Sequence, residues 1–375
     1  MAMTSVSIIG AGPAGSYSAY LLARAGFDVS VFEEHPIVGE PWACTGVITE
    51  DVLSRQLKLP EELVVNRIEK ARIISPDNNF IEVKLKNDVV IDRAVFDQHV
   101  AEMAKNEGAK YYVNHRFVEI CGNGESDGKV TAKIRNKNLN QLKGVESDWL
   151  IGADGPRSEV ARSAGIFGNR KFYVGSQVTA KMENDNLIRF YPSENGIAWT
   201  VPENSRIVRA GIAANKNASG YFDEFMTQAV GKDYRQRIIA RQAGPIPVYS
   251  PKAQTQKGRI LLAGDAATMV KATTLGGINQ SLMAATAVAE AIATGKDYSK
   301  LWKKKLGRDL WLSLMMRKAM NRFSDNDYNK LVKIFGSSKN KKMLEEFDRD
   351  EPRKFAFKLL LQEPRLLLLS RRLLF

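Results

Sequence analysis

Hydrophobic and polar positions along this chain of 375 residues follow two periods, and the switches between them divide it. Val6 to Ile9 is a short, mostly apolar run that reads as a buried strand. Tyr17 to Ala25 has helical apolar spacing and Gly26 stops it; Val29 to Phe32 is a second strand ending at Glu33. Residues 50 to 70 show neither period clearly and read as helix or loop. Alternation returns at Ala71 to Ile74 and Phe80 to Leu85, joined by the turn Pro76-Asp77-Asn78-Asn79. The pattern then predicts a helix over Arg93 to Asn106, strands in "AKYYVNHRFVEI" and "KVTAKIR", and a strand running into a glycine turn in "SDWLIGADG". A short helix follows over Ser158 to Ala164. Lys171 to Ala214 alternates as an antiparallel sheet does, "GRILLAGDAA" is again a buried strand, and Gly277 to Ala293 is a helix of small residues. From Tyr298 on the chain is basic and helical. Helix–strand alternation at both ends with antiparallel strands between them implies a discontinuous nucleotide domain with a second, sheet-based domain inserted.

The first strand–turn–helix–strand unit carries chemistry. Gly10, Gly12 and Gly15 stand at G-x-G-x-x-G spacing, with Pro13 and Ala14 between them. Such a turn lets the backbone approach a pyrophosphate and points a helix start at its charge. Glu33, followed by Glu34, stands where a carboxylate accepts hydrogen bonds from ribose hydroxyls. Two later turns, Asp154-Gly155 and Gly264-Asp265, each end a strand, and Gly276-Gly277-Ile278 opens another helix. An acid at such a turn can bind a ribityl hydroxyl or bridge to the pyrophosphate. A helix start beside a flavin pyrimidine edge favours the negative charge of the reduced ring. Three such turns in this order point to FAD rather than NAD.

The stretch "GEPWACTG" leaves the second strand with Trp42, Cys44, Thr45 and Gly46. A loop there can pass over a flavin, with Trp42 as an apolar wall. Cys44 can contact the flavin edge, act as a weak acid or gate the reactive face; it can equally be a small buried filler. His35, His99 and His115 have no metal-ligand spacing, so no metal site is expected. Asp97 reads as a residue of the helix surface, with anchoring of Arg93 as the alternative.

The set Gly10-Ala-Gly-Pro-Ala-Gly15, Arg93, "GADGPRS" and "GDAA…GGI" resembles the FAD-dependent hydroxylase-type superfamily. "GDAATMVKATTLGGI" and "GEPWACTG" resemble, within it, the geranylgeranyl reductase family of archaea and photosynthetic organisms. The resemblance spans roughly residues 5 to 300. It implies an FAD enzyme that saturates isoprenoid double bonds, including those of membrane lipid precursors. Arg93 and Cys44 would lie near the flavin, and an external electron donor (reduced nicotinamide, deazaflavin or ferredoxin) would serve it. Where that family carries a Tyr-x-Trp-x-Phe-Pro stretch along its lipid cavity, this chain has "ENGIAWTVP": Trp199 and Pro202 remain, with Ile197 and Val201 in place of the Tyr and Phe. Trp199 is therefore a second candidate contact with substrate. Ala272 and Leu275 replace a usual Pro and a frequent Gly. The fold expected is α/β (α+β). A Rossmann-like FAD-binding domain is made of residues 1–75, 92–165 and 251–297. Its antiparallel-sheet substrate domain is residues 76–91 and 166–250, and a helical region covers 298–375.

Composition adds the remaining constraints. Two cysteines make no disulfide framework, consistent with a reducing, cytoplasmic setting, and no apolar run approaches a membrane span. The formal charge is +13. It can serve solubility alone or attract anionic lipid, phosphate or nucleic acid; with no zinc knuckle or RNP-type aromatic pattern, nucleic acid ranks last. The stretch "WKKKLGRDLWLSLMMRKAMNRF", with Trp302, Trp311, Leu312 and Met315, and a tail bearing Arg365, Arg371 and Arg372 read as helices that pack on the body and close the domain, or as basic amphipathic surfaces in peripheral contact with the cytoplasmic membrane face; both can hold, since a capping helix can expose one face. Two other functions use the same flavin motifs: an FAD-dependent monooxygenase on an aromatic or lipid substrate, and a non-catalytic lipid-binding flavoprotein. Flavin-dependent halogenation ranks below them, since Ile197 breaks the Trp-x-Trp pattern it needs.

Overall fold

The structure, a computed structural model, describes residues 3–123 and 128–346. Two large sheets organise it. Ser5–Ile9, Pro13–Arg24 and Asp28–Phe32 are the strand, helix and strand read from the sequence. Ile9 pairs with Phe32 in a parallel ladder, and Trp149–Gly152 lies parallel on the other side with Ile8 opposite Ile151. Ile260–Leu262 and Lys110–Tyr112 extend this sheet outward, and Gln256–Lys257 adds an antiparallel edge. Val6, Ile8, Leu150 and Leu261 are fully buried, as strands covered on both faces require. The Gly10–Gly15 turn is packed too tightly for a side chain at its two ends. A Cβ on Gly15 would stand 1.9 Å from the Gly10 carbonyl oxygen, and one on Gly10 2.4 Å from that of Ala153. The three strand ends and the first helix therefore converge at one edge.

The second sheet has eight strands, in the order Ile238–Pro247, Phe172–Lys181, Ile207–Ala214, Gly196–Asn204, Ile188–Ser193, Val64–Ile74, Phe80–Ile91, Val47–Thr49. Its one parallel pair joins Ile188–Ser193 to Val64–Ile74. Two expectations change here. The stretch 50 to 70 is not simply helix or loop, since Val64–Ile74 is a long strand. That strand and Val47–Thr49 also belong to the large sheet, although they fall in the chain segment (1–75) read as nucleotide-binding. The ladder from Val64 to Ile74 is broken by irregularities at Val64/Asn66 and Ile68/Lys70, which put successive side chains out of phase and erase the period of two. The turn after it closes as read, with Ser75 N–H donating to the Asn79 carbonyl and Asn78 at φ +62. A helix the sequence reading passed over, Ala218–Ala229, packs Phe222, Phe225 and Met226 onto this sheet.

The C-terminal part is helical: Tyr298–Trp302, Arg308–Met320, Asp325–Phe335 and Ser338–Glu346. The stretch from Trp302 to Phe323 packs on the body and also exposes one large apolar side chain. Trp302 is buried and donates to Thr255 Oγ1 at 2.8 Å, while Trp311 is exposed. Arg317, also buried, donates to the carbonyls of Ala272 (2.7 Å) and Thr273, tying its helix to the segment before Gly276. Arg365, Arg371 and Arg372 lie outside the described residues. None of the described helices is long and apolar enough to cross a membrane.

Candidate active site

A cavity of about 1270 Å³ opens where the two sheets meet. One end is lined by Gly12, Pro13, Ala14, Ala153, Gly155, Asp265, Gly276, Gly277 and Ile278, which are the glycine turns read from the sequence. The other end is an apolar sleeve. Ile73, Ile81, Val83, Phe190, Ile197 and Trp199 of the large sheet line it together with Leu312, Met316 and Phe335 of the C-terminal helices and Phe323 of the loop between two of them. Cys44, Thr45, Gly46 and Arg93 lie between the two ends.

The first end suits a dinucleotide. The helix Pro13–Arg24 starts at Gly12 and the helix Ile278–Thr294 at Gly277, and no side chain caps either start. Four helices that start elsewhere are capped by Asp92, Ser158, Asp297 and Ser324, although Ala218–Ala229 starts without a side-chain cap as well. Uncapped starts leave backbone N–H groups for an anion. A Cβ on Gly12 would meet nothing within 4 Å, so the space beside it is open. The Asp265 carboxylate forms no hydrogen bond with another described residue, and desolvation pushes it up to about 6, against the pull of Arg93. A half-buried carboxylate on the cavity wall without a protein hydrogen bond suits hydroxyl donors from a ligand, which a ribityl chain supplies.

The other predicted groups are placed more variously. Glu33 accepts from Ala11 N–H (2.9 Å) and from the N–H and Nδ1 of His35, so it braces the turn at the strand end. Glu34 is at the surface, 3.8 Å from Arg116. Asp154 accepts from Ser158 Oγ at 2.6 Å and from Val160 N–H at 3.0 Å; both oxygens anchor the following helix rather than facing the cavity. Trp42 does not form the expected wall, because its ring packs against the Arg209 guanidinium, 5.0 Å away. Asp97 is buried, not on the helix surface. It takes Arg93 in a two-pronged pair, Nε to Oδ1 at 3.2 Å and Nη2 to Oδ2 at 2.9 Å. Burial works against the Arg93 charge, but Asp97 and then the Cys44 sulfur hold its pKa above the usual guanidinium range. Cys44 Sγ also accepts from Gly46 N–H at 3.3 Å. Leu275, where the resembling family often has Gly, adopts φ +57.

Sequence reasoning missed Gln177 and Arg209. Gln177 Oε1 accepts from Thr45 Oγ1 (2.8 Å) and Trp199 Nε1 (2.9 Å), while Nε2 donates to the Cys44 carbonyl (3.3 Å) and Gln242 Oε1 (2.8 Å). It joins the Cys44 loop to the cavity wall. Its only signal was a polar residue on an otherwise buried strand face, since its partners lie 132 and 22 residues away. No group of residues that could hold a metal ion occurs among the described residues.

Two sheets, a glycine-lined dinucleotide end and an apolar end define a flavoprotein oxidoreductase. Residues 77–296 match the FAD binding domain family, and residues 8–49 match the NAD(P)-binding Rossmann-like domain family. The chain is similar to the digeranylgeranylglycerophospholipid reductase 3 of Methanosphaera stadtmanae, with 31% identity over 79% of each chain. It is similar to the digeranylgeranylglycerophospholipid reductase of Methanothrix thermoacetophila, with 27% identity over 90% of this chain and 93% of the relative. A geranylgeranyl bacteriochlorophyll reductase-like protein from Thermoplasma acidophilum shares its fold, with TM-score 0.81 and 24% identity over 96% of this chain and all of that one. This chain belongs to the geranylgeranyl reductase family of FAD-dependent oxidoreductases. FAD is its cofactor.

Proposed function

We propose that this enzyme saturates the double bonds of isoprenoid chains in membrane lipid precursors, at a site between Cys44 and the apolar sleeve. The observation that carries this reading is the continuity of the cavity: the glycine-lined end opens directly into a sleeve walled by aliphatic side chains, Met and Phe. A long alkene chain fits such a sleeve, and a compact polar substrate does not. The names of the relatives, digeranylgeranylglycerophospholipid reductases, support the same class of substrate.

Bound FAD, once reduced by an external donor, supplies hydride. The rest falls to the chain. The sleeve excludes water and aligns the alkene, which lowers the entropic barrier of an unactivated double bond. Cys44 carries the proton for the second carbon on Sγ. The Gly46 N–H donates to that sulfur and the charge of the nearby Arg93 guanidinium acts on it, and both stabilise the thiolate left behind. Asp97 keeps Arg93 in place and balances its charge, so the pair costs less to bury than a lone cation. Trp199, held by Gln177, forms one wall against the chain.

The substrate is nearly insoluble in water, so we place the enzyme at the cytoplasmic membrane face, drawn there by its +13 charge. Cys44→Ala is expected to retain FAD and to lower alkene reduction by about tenfold or more, roughly 1.4 kcal/mol in the barrier. Cys44→Ser separates shape from thiol acidity. Turnover by both variants at the wild-type rate would remove Cys44 from the chemistry. Failure of the wild-type enzyme to hydrogenate a geranylgeranyl chain under reducing conditions would remove the function itself.

A further inference from the structure

We infer that Arg209 is a positioning residue that sets Cys44 against Arg93. The inference rests on the reading of Cys44 given above. Arg209 stands in Ile207–Ala214, a strand otherwise made of apolar and small residues, and is only 2% exposed. It does not line the cavity. Its Nη1 donates to two carbonyls, Thr45 at 2.8 Å and Ile91 at 3.0 Å. One directly follows Cys44 in the chain. The other precedes Asp92, which caps the helix that begins with Arg93. The two segments are further stitched by Ile91 N–H donating to the Gly46 carbonyl at 2.9 Å. Arg209 thus holds the backbone on either side of the Cys44–Arg93 contact.

The loop is shaped around this guanidinium. Gly46 has φ +75, and a Cβ there would lie 2.7 Å from Arg209 Nη1 and 2.5 Å from the Ile91 carbonyl oxygen. Trp42 lies over the guanidinium on the same loop. Glu203 takes Nε at 2.5 Å and balances the charge. Packing alone would be met by an apolar side chain of similar volume, commonly at no loss of stability. What such a side chain lacks is the fork that reaches a carboxylate and two carbonyls at once. Lysine, with one ammonium, cannot span all three.

The test uses full-length, FAD-bound enzyme carrying Cys121→Ser, so that Cys44 is the one thiol left. Arg209→Lys retains the buried charge. Arg209→Met with Glu203→Gln removes the ion pair together and leaves no stranded carboxylate. Both are expected to keep the flavin spectrum and a Tm within about 4 °C of the parent. With a digeranylgeranylglycerophospholipid as substrate and dithionite as reductant, kcat is expected to fall about tenfold with KM unchanged. Iodoacetamide is expected to alkylate Cys44 at least about threefold more slowly, because the sulfur loses the guanidinium that stabilises its reactive thiolate. Parental kcat and alkylation rate in Arg209→Lys would overturn the proposal, whether or not the double variant folds. A fall confined to KM would overturn it too. If the parent enzyme reduces no alkene, the function proposed above fails, while the alkylation rates still decide what Arg209 does.

Discussion

Asp265 shows at residue scale what an FAD site asks of the protein that builds it. Its carboxyl is raised to about 6 by burial, despite Arg93 nearby. A carboxyl raised in the folded state contributes stability that is fully present below its unfolded pKa, near 4, and lost as pH rises through about 6. The FAD-free protein should therefore carry a penalty at pH 7 that it lacks at pH 4, up to about 3 kcal/mol from a two-unit shift. Asp265→Asn should be more stable than wild type at pH 7, with the difference vanishing by pH 4, in urea titrations of the FAD-free protein. The same variant should bind FAD more weakly, because an amide accepts hydroxyl hydrogen bonds less strongly than a carboxylate. A stability difference independent of pH would assign the effect to something other than this ionisation.

At the scale of elements, the first helix and the strands around it show how one glycine serves folding and another serves the ligand. Gly15 lets the helix Pro13–Arg24 sit against the turn, since any side chain would collide with the Gly10 carbonyl oxygen. Gly12 has ordinary φ of −71 and nothing within 4 Å of its missing Cβ. Gly15→Ala should disrupt the parallel sheet edge and yield poorly soluble, colourless protein. Gly12→Ala should fold with a Tm within about 2 °C of wild type but lose about tenfold or more in FAD affinity, because its methyl group enters the pyrophosphate approach. Circular dichroism melts and flavin fluorescence on titration separate the two. Equal behaviour of both variants would contradict this division of roles. Leu275, at φ +57, shows the opposite case, a backbone conformation that favours Gly held by a residue whose side chain lines the cavity.

For the whole molecule, charge and cavity act together. The chain carries 55 Lys and Arg against 42 Asp and Glu, and among the described residues Trp311 is a large apolar side chain left half in solvent. Each cation near an anionic leaflet contributes about 1 kcal/mol and the effect fades within a Debye length. The protein should sediment with vesicles containing anionic lipid, not with neutral ones, and be released by added salt. Arg371→Ala with Arg372→Ala should weaken that binding without altering the flavin spectrum. Equal binding to both kinds of vesicle would exclude the electrostatic account.

Much of this was legible from residues alone, because it depends on short-range chemistry. The turn at Gly10–Gly15, the Gly264-Asp265 turn and the helix starts at Gly12 and Gly277 each follow from a few consecutive residues. They name FAD before any fold is drawn. Arg93 and Cys44 were legible only through resemblance, since nothing in their local spacing brings them together. What tertiary structure decided was every relation across the sheets. It moved Val64–Ile74 into the large sheet, turned Asp97 inward and Trp42 toward Arg209, and built the apolar sleeve from strands and helices more than a hundred residues apart. It also revealed Gln177 and Arg209, whose partners come from distant strands and loops. A sequence carries the period of each element, but a contact between elements is set by how their buried faces pack, and that is a property of the folded chain alone.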